Sequence, residues 1–157
     1  MKELTIDSAA KILARNTYGR LACYSPSRDT SYIVPMSYTY RDGVIYLAML
    51  PGQKLDFLHE HLTGVCFEVD EIDDAENWLT AIATGAFRDL GPEERAGVER
   101  DTILRLLHGP LRSLVYGDEA ALAKFQLGAI HVTSLTARQD RWSWEADFPQ
   151  TLKQAPV

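Results

Sequence analysis

Gly52-Gln53-Lys54 is the stretch whose residue types and order have the most direct chemical consequence. Leu55, Leu58 and Leu62 follow at helical spacing, which predicts a short helix with Lys54 in its first turn. The first N–H groups of a helix have no intrahelical acceptor, and the helix dipole concentrates positive charge there. Gly52 leaves the backbone open to approach and Lys54 adds a full charge, so the stretch is suited to holding a phosphate. The other reading of so short a pattern is a solvated lysine after an ordinary loop.

The remaining reactive side chains are poorly spaced for catalysis. His59 and His61 stand two apart on that helix and point to different faces, so they cannot chelate one metal together. With His108 and His131 they read as surface or hydrogen-bonded histidines. Ser25, Ser27 and Ser37 lie in no Gly-x-Ser-x-Gly elbow, so a hydrolase has no support. Cys23 and Cys66 are far apart, outside any Cys-x-x-Cys or zinc-like spacing, and read as small core residues in strands.

The elements that must position Lys54 are strands. Tyr32, Val34, Met36, Tyr38 and Tyr40 alternate with Ile33, Pro35, Ser37 and Thr39, the period of two of an extended segment. Asp42-Gly43 supplies the positive backbone angles of a tight hairpin, and Val44 to Met49 returns as its partner. Pro35 lacks a ladder donor, which makes its strand an edge or a bulge, whether or not a ligand lies beside it. Gly19–Tyr24 reads as a first strand, with Pro26–Asp29 turning into the second, and Gly64–Asp70 as a fourth. The acidic run from Asp70 to Asn77 reads as a solvated loop, and Trp78–Phe87 as a half-buried strand with small residues on one side.

Helices flank these strands. Asp7 or Ser8 is a credible N-cap for a helix burying Ala9, Ile12 and Leu13 with Asn16 on the same side, placed to plug a barrel end. Gly91-Pro92-Glu93-Glu94 starts a helix continued by Val98, Ile103, Leu104 and Leu107 to Gly109-Pro110. A further helical segment is expected over Leu111–Leu127, with Asp118 as its cap and Leu122 and Phe125 as packing residues. Ala129–Arg138 is the last strand, and Trp142-Ser143-Trp144 opens a polar tail.

Composition sets the broad class. With 157 residues, 46% hydrophobic and 24% charged, the chain has the size and balance of a single globular domain. Its core spans about residues 6–138, with a tail over 139–157. A formal charge of −6 and a pI near 5.2 argue against nucleic acid or an anionic membrane and favour a small-molecule site. No apolar run is long enough to span a bilayer, and Met1-Lys2-Glu3 is unlike a signal peptide, so a cytoplasmic location is expected.

Four motifs in order, Val34-Pro35-Met36-Ser37-Tyr38, Asp42-Gly43-Val44-Ile45-Tyr46, Gly52-x-Lys54-Leu55-Asp56 and Val65-Cys66-Phe67-Glu68-Val69-Asp70, resemble the FMN-binding split barrels related to pyridoxamine 5′-phosphate oxidase, in their nitroimidazole-resistance branch. The resemblance runs over roughly residues 6–90. It implies a mainly β fold with flanking helices: a six-stranded antiparallel split β-barrel, working as a homodimer with FMN at the interface.

By the same resemblance Val34, Pro35, Met36 and Ser37 would line the flavin ring, and Tyr46, Leu47 and Ala48 would run beside the ribityl chain. Gln53 and Lys54 would hold the phosphate, Thr80 would reach the cofactor, and Trp142 or Trp144 would cover the ring or bury a dimer or tail contact. The implied activity is electron transfer from a reduced nicotinamide to a small acceptor such as a nitro-aromatic or a quinone. The alternative is a non-catalytic protein that binds or stores flavin, deazaflavin or haem; a barrel kept only for dimerisation is a third reading. Two positions depart from the pattern: Leu47 stands where many relatives carry His, and Gln53 where Arg or Lys is frequent. The Arg-Leu-His-x-Arg substrate motif of the pyridoxamine phosphate oxidases is missing near the C-terminus, which disfavours vitamin B6 oxidation.

Overall fold

The computed structural model describes residues 1–97 and 123–141. Strand β1 (Lys2–Glu3) leads into helix α1 (Ile6–Arg15), followed by β2 (Tyr18–Ser25), β3 (Thr30–Arg41), β4 (Val44–Met49) and helix α2 (Gln53–Glu60). Then come β5 (Val65–Asp74), β6 (Asn77–Asp89), the short helix α3 (Pro92–Gly97) and β7 (Gln126–Arg141). All pairings are antiparallel, in the order β1-β7-β4-β3-β2-β5-β6, and β6 pairs back onto β7. Six strands therefore close a ring, the expected split barrel, and β1 is a two-residue addition to the margin of β7.

One face of each strand fills the ring. Leu21, Cys23, Met36, Tyr38, Ile45, Leu47, Val65, Phe67, Val69, Ala81, Ala83 and Phe87 are buried in a shared core, as the alternation of each strand requires. At Asp42-Gly43 both residues have positive φ, 51° and 80°, which lets β3 reverse into β4 in two residues.

The helices cover opposite ends. Helix α1 buries Ala9, Ile12 and Leu13, and its Arg15 meets Glu71 on β5. Its N-cap is Thr5 rather than Asp7 or Ser8, because Thr5 Oγ1 accepts from the Ser8 N–H at 3.2 Å and the helix already begins at Ile6. Helix α2 buries Leu55, Phe57 and Leu58 near Ser25 and Asp89, with Phe57 edge-on to Tyr32 at 5.8 Å between centroids.

Two further expectations are corrected. The acidic run after Asp70 continues β5 to Asp74, paired with Trp78–Thr80 of β6, and only Ala75-Glu76 forms the turn. Its charges are met locally: Asp74 accepts from the Glu76 N–H at 2.8 Å and from Asn77 Nδ2 at 2.9 Å, and Glu71 is held by Arg15 and Asn16. The helix expected up to Leu127 does not reach it, since Gln126 and Leu127 already belong to β7, paired with Met49 and Ala48. The rest of that helix, with Asp118 and Leu122, lies outside the described residues, as do Val98, Ile103, Leu104, Leu107, His108, Trp142 and Trp144.

Candidate functional site

The hydrogen-bond ladder between β3 and β4 opens part-way along. Tyr38–Arg41 pair with Leu47–Val44, with Thr39 opposite Tyr46, but Ala48 and Met49 pair only with β7. Residues 30–37 of β3 consequently have a ladder on the β2 side alone, among the described residues. Pro35 lies in this half, opposite Arg20, so its missing donor disturbs one ladder instead of two. This is the edge that the proline predicts.

Alternation decides which side chains can face a ligand there. Pro35, Ser37, Thr39, Tyr46 and Ala48 share the outer face and are exposed or half-buried. Met36 and Leu47 point inward and are buried in the core, so their side chains cannot line a groove and support it from behind. Val34 is also inward, half-buried and packed against the core. Thr39 shares this face, as its alternation with Pro35 and Ser37 requires.

Past the opening the chain runs through Leu50, Pro51 and Gly52 into α2. Gly52 has φ +155°, a conformation that only glycine adopts readily, and a Cβ built there would meet nothing within 4 Å. Glycine is thus required by the backbone bend, and the surrounding space is open. The Gly52 carbonyl accepts from the N–H groups of Leu55 (2.9 Å) and Asp56 (3.1 Å). No side chain caps the helix, which leaves the N–H groups of Gln53 and Lys54 pointing outward without an acceptor among the described residues. Lys54 is half-buried and forms no ion pair among those residues, while Gln53 is exposed. The first turn of α2 thus carries, among the described residues, two donors without acceptors, no side-chain cap, the Lys54 ammonium and the exposed Asp56 carboxylate.

Thr80 lies on another strand of the ring. It stands on β6, which β5 and β2 separate from β3 on one side of the ring. Its hydroxyl donates to Glu68 Oε1 at 3.0 Å and to the Val69 carbonyl at 3.2 Å. Arg20 Nη1 bonds both Glu68 and Asp70, linking Thr80 through polar contacts to β2, the strand that pairs with the one carrying Pro35. Burial pushes the Cys23 and Cys66 thiols up, in keeping with unreactive strand residues. Among the described residues no group of His, Cys, Asp and Glu is placed to hold a metal.

Comparison with known proteins gives this architecture its relatives. A family model described as pyridoxamine 5′-phosphate oxidase matches residues 5–139. The chain belongs to that family. Among solved structures, an FAD-binding protein of Mesorhizobium loti is 24% identical over 88% of this chain and 96% of its own, with a TM-score of 0.71. An FAD and haem binding protein of Mycobacterium smegmatis is 11% identical, with a TM-score of 0.73 over 100% of this chain and 82% of its own. A protein of Bacteroides thetaiotaomicron VPI-5482 assigned to 5-nitroimidazole antibiotic resistance is 16% identical over 87% of this chain and 86% of its own, with a TM-score of 0.64. At these identities the likeness is one of fold, and the fold is the pyridoxamine 5′-phosphate oxidase split barrel in each. An uncharacterised protein of Rhizobium meliloti (strain 1021) is 28% identical over 89 residues, 57% of this chain, and the match spans 57% of that relative's length.

Proposed function

We propose that this member of the pyridoxamine 5′-phosphate oxidase family binds FMN and works as an oxidoreductase. The observation that carries the reading is that, among the described residues, the N–H groups of Gln53 and Lys54 have no acceptor and the Lys54 ammonium has no ion pair, at the foot of an opened β ladder. A dianionic phosphate supplies the acceptors that those donors lack. Flavin binding by the Mesorhizobium and Mycobacterium neighbours supports the same assignment.

The residues present fit the group. Gln53 and Lys54 would hold the phosphate; Tyr46 and Ala48 offer an outer face to the ribityl chain; Val34 to Ser37 offer free backbone groups and the Ser37 hydroxyl to the ring. The chemistry that a bound flavin supplies is two-electron transfer between a reduced nicotinamide and a small acceptor such as a nitro-aromatic or a quinone. The chain itself contributes position and electrostatics: Leu47, at the position where a histidine is frequent, is buried and carries no proton. We place the cofactor at the interface of a homodimer, with Trp142 or Trp144 as candidate covers. Exposed Ile33 (67%), Tyr18 (58%), Ile82 (39%) and Tyr24 (38%) on the outer face of β2, β3 and β6 support such pairing. No helix among the described residues is long and apolar enough to cross a membrane; a cytoplasmic site of action is part of the same reading.

The FAD and haem binding of the Mycobacterium smegmatis neighbour favours a second reading, a non-catalytic carrier of flavin, deazaflavin or haem. The absorbance spectrum of the protein as purified tests both. Flavin bands bleached by NADH or NADPH and restored by an acceptor establish the enzyme; flavin bands that do not respond establish the carrier; a Soret band establishes haem. A colourless protein that takes up none of these ligands refutes the assignment.

A further inference from the structure

Helix α2 ends in a carboxylate, Glu60, where the negative pole of the helix makes a negative charge unfavourable. What holds it there is a single oxygen. Glu60 Oε2 accepts from the Ser25 hydroxyl at 2.6 Å, from the Ser27 hydroxyl at 2.8 Å and from the Ser27 N–H at 3.4 Å. Ser25 is wholly buried, and a hydroxyl inside the core needs an acceptor, so the contact answers a demand of the barrel as well as of the helix. These hydrogen bonds, with the Ser25 hydroxyl first, hold the Glu60 carboxyl below the usual glutamate range. On the other side of the same turn, His59 Nε2 meets Asp89 Oδ2 at 2.8 Å. The last turn of α2 is thus tied to the β2–β3 turn and to the end of β6.

The opposite end of the helix has no such side-chain hydrogen bond among the described residues; Leu55, buried in the core, is its contact with the barrel. Gly52 is surrounded by open space and no side chain caps the first turn. An α-helix of 8 residues, Gln53–Glu60, is a short rod, so fixing its last turn, together with the core contacts of Leu55, Phe57 and Leu58, sets where its first turn points.

We propose that Glu60 is a positioning residue for the anion cradle: by joining Ser25 and Ser27 to the last turn of α2, it holds the N–H groups of Gln53 and Lys54 in register with the open half of β3. This rests on the phosphate assignment made above, and extends it from the groups that touch the anion to the one that aims them.

The test compares FMN with riboflavin, which lacks the phosphate, by titrating the full-length protein and following flavin fluorescence. Wild-type protein is expected to prefer FMN. Glu60→Ala is expected to cut that preference about tenfold while leaving riboflavin affinity unchanged, the scale of one displaced charge-assisted hydrogen bond. Glu60→Gln is expected to restore it, because all three bonds converge on one oxygen that an amide carbonyl can replace. Adding Glu60→Ala to Lys54→Ala should lower the preference further, because the N–H groups of Gln53 and Lys54 survive the lysine substitution. If Glu60→Ala fails to fold, Ser27→Ala removes part of the tether at an exposed position and is expected to lower the preference about threefold, by loss of a neutral hydrogen bond. A wild-type-like preference in the foldable variants, or equal losses for both ligands, overturns the positioning role. A wild-type protein that binds both flavins equally overturns the phosphate assignment itself, and the inference with it.

Discussion

The phenol of Tyr38 donates to the main-chain carbonyl of Leu13 at 2.7 Å, in the core of the barrel. Leu13 lies in the last turn of α1, where carbonyls have no intrahelical donor, so a strand side chain completes the end of a helix. Burial pushes the Tyr38 hydroxyl well above the ordinary tyrosine range, and it remains a proton donor at any working pH. Helix, strand and plug are joined at one atom pair.

Replacing that donor tests the joint. Tyr38→Phe keeps the ring against Phe67 but leaves the Leu13 carbonyl without its partner, at an expected cost of about 1–3 kcal/mol in unfolding free energy. Urea titration should show a lower midpoint with an unchanged slope; an unshifted midpoint contradicts the capping role.

Acid should loosen the same end of the barrel. Arg15 grips Glu71 through Nε (2.6 Å) and Nη2 (2.8 Å), and the Glu71 carboxyl lies below its ordinary value, chiefly through this hydrogen bond. A depressed folded-state pKa contributes stability in full above the unfolded value and loses it as pH falls through the folded one. The gap in melting temperature between wild type and Glu71→Gln should therefore be widest near neutrality and close below pH 4.5, the ordinary glutamate value. A gap independent of pH would contradict the assignment.

Lys54→Ala removes the charge from the cradle and leaves the barrel intact. FMN affinity is expected to fall about 10- to 100-fold, the range for a lost hydrogen bond to a charged group, with circular dichroism and oligomeric state unchanged. Undiminished FMN retention would count against the phosphate assignment.

At Gly52 the constraint is conformational. Gly52→Ala meets no neighbour, yet it must hold φ near +155°, at about 1–3 kcal/mol of local strain. The expected outcome is weaker FMN binding with little change in global unfolding, since the strain is relieved by shifting the start of α2. Wild-type FMN affinity in this variant would show that the bend is dispensable.

Much of this arrangement is legible in the sequence because each strand buries one face. Tyr32 to Tyr40 and Trp78 to Phe87 alternate in the pattern that the structure shows, and Asp42-Gly43 states its turn in two residues. What is not legible depends on partners distant in the chain. The acidic run at Glu71 reads as a loop until Arg15 is seen beside it, and nothing local to Thr80 announces the hydrogen bond it donates to Glu68 on the neighbouring strand. Met36 and Leu47 match a binding motif by position, but their alternation gives their side chains to the core. Ser25 and Glu60, separated by 35 positions, carry no local sign that they meet.

β7 pairs with β6 along its length and with β4 and β1 on its other side, and it is formed by the last described stretch of the chain. Until that stretch has left the ribosome, a nascent chain can assemble β2 to β6 only as an open ribbon whose two outer margins, β4 and β6, are bare to solvent. Such margins invite pairing with other polypeptides. Synthesis thus passes through a sticky interval whose length is set by the 36 residues that separate Asp89 from Gln126.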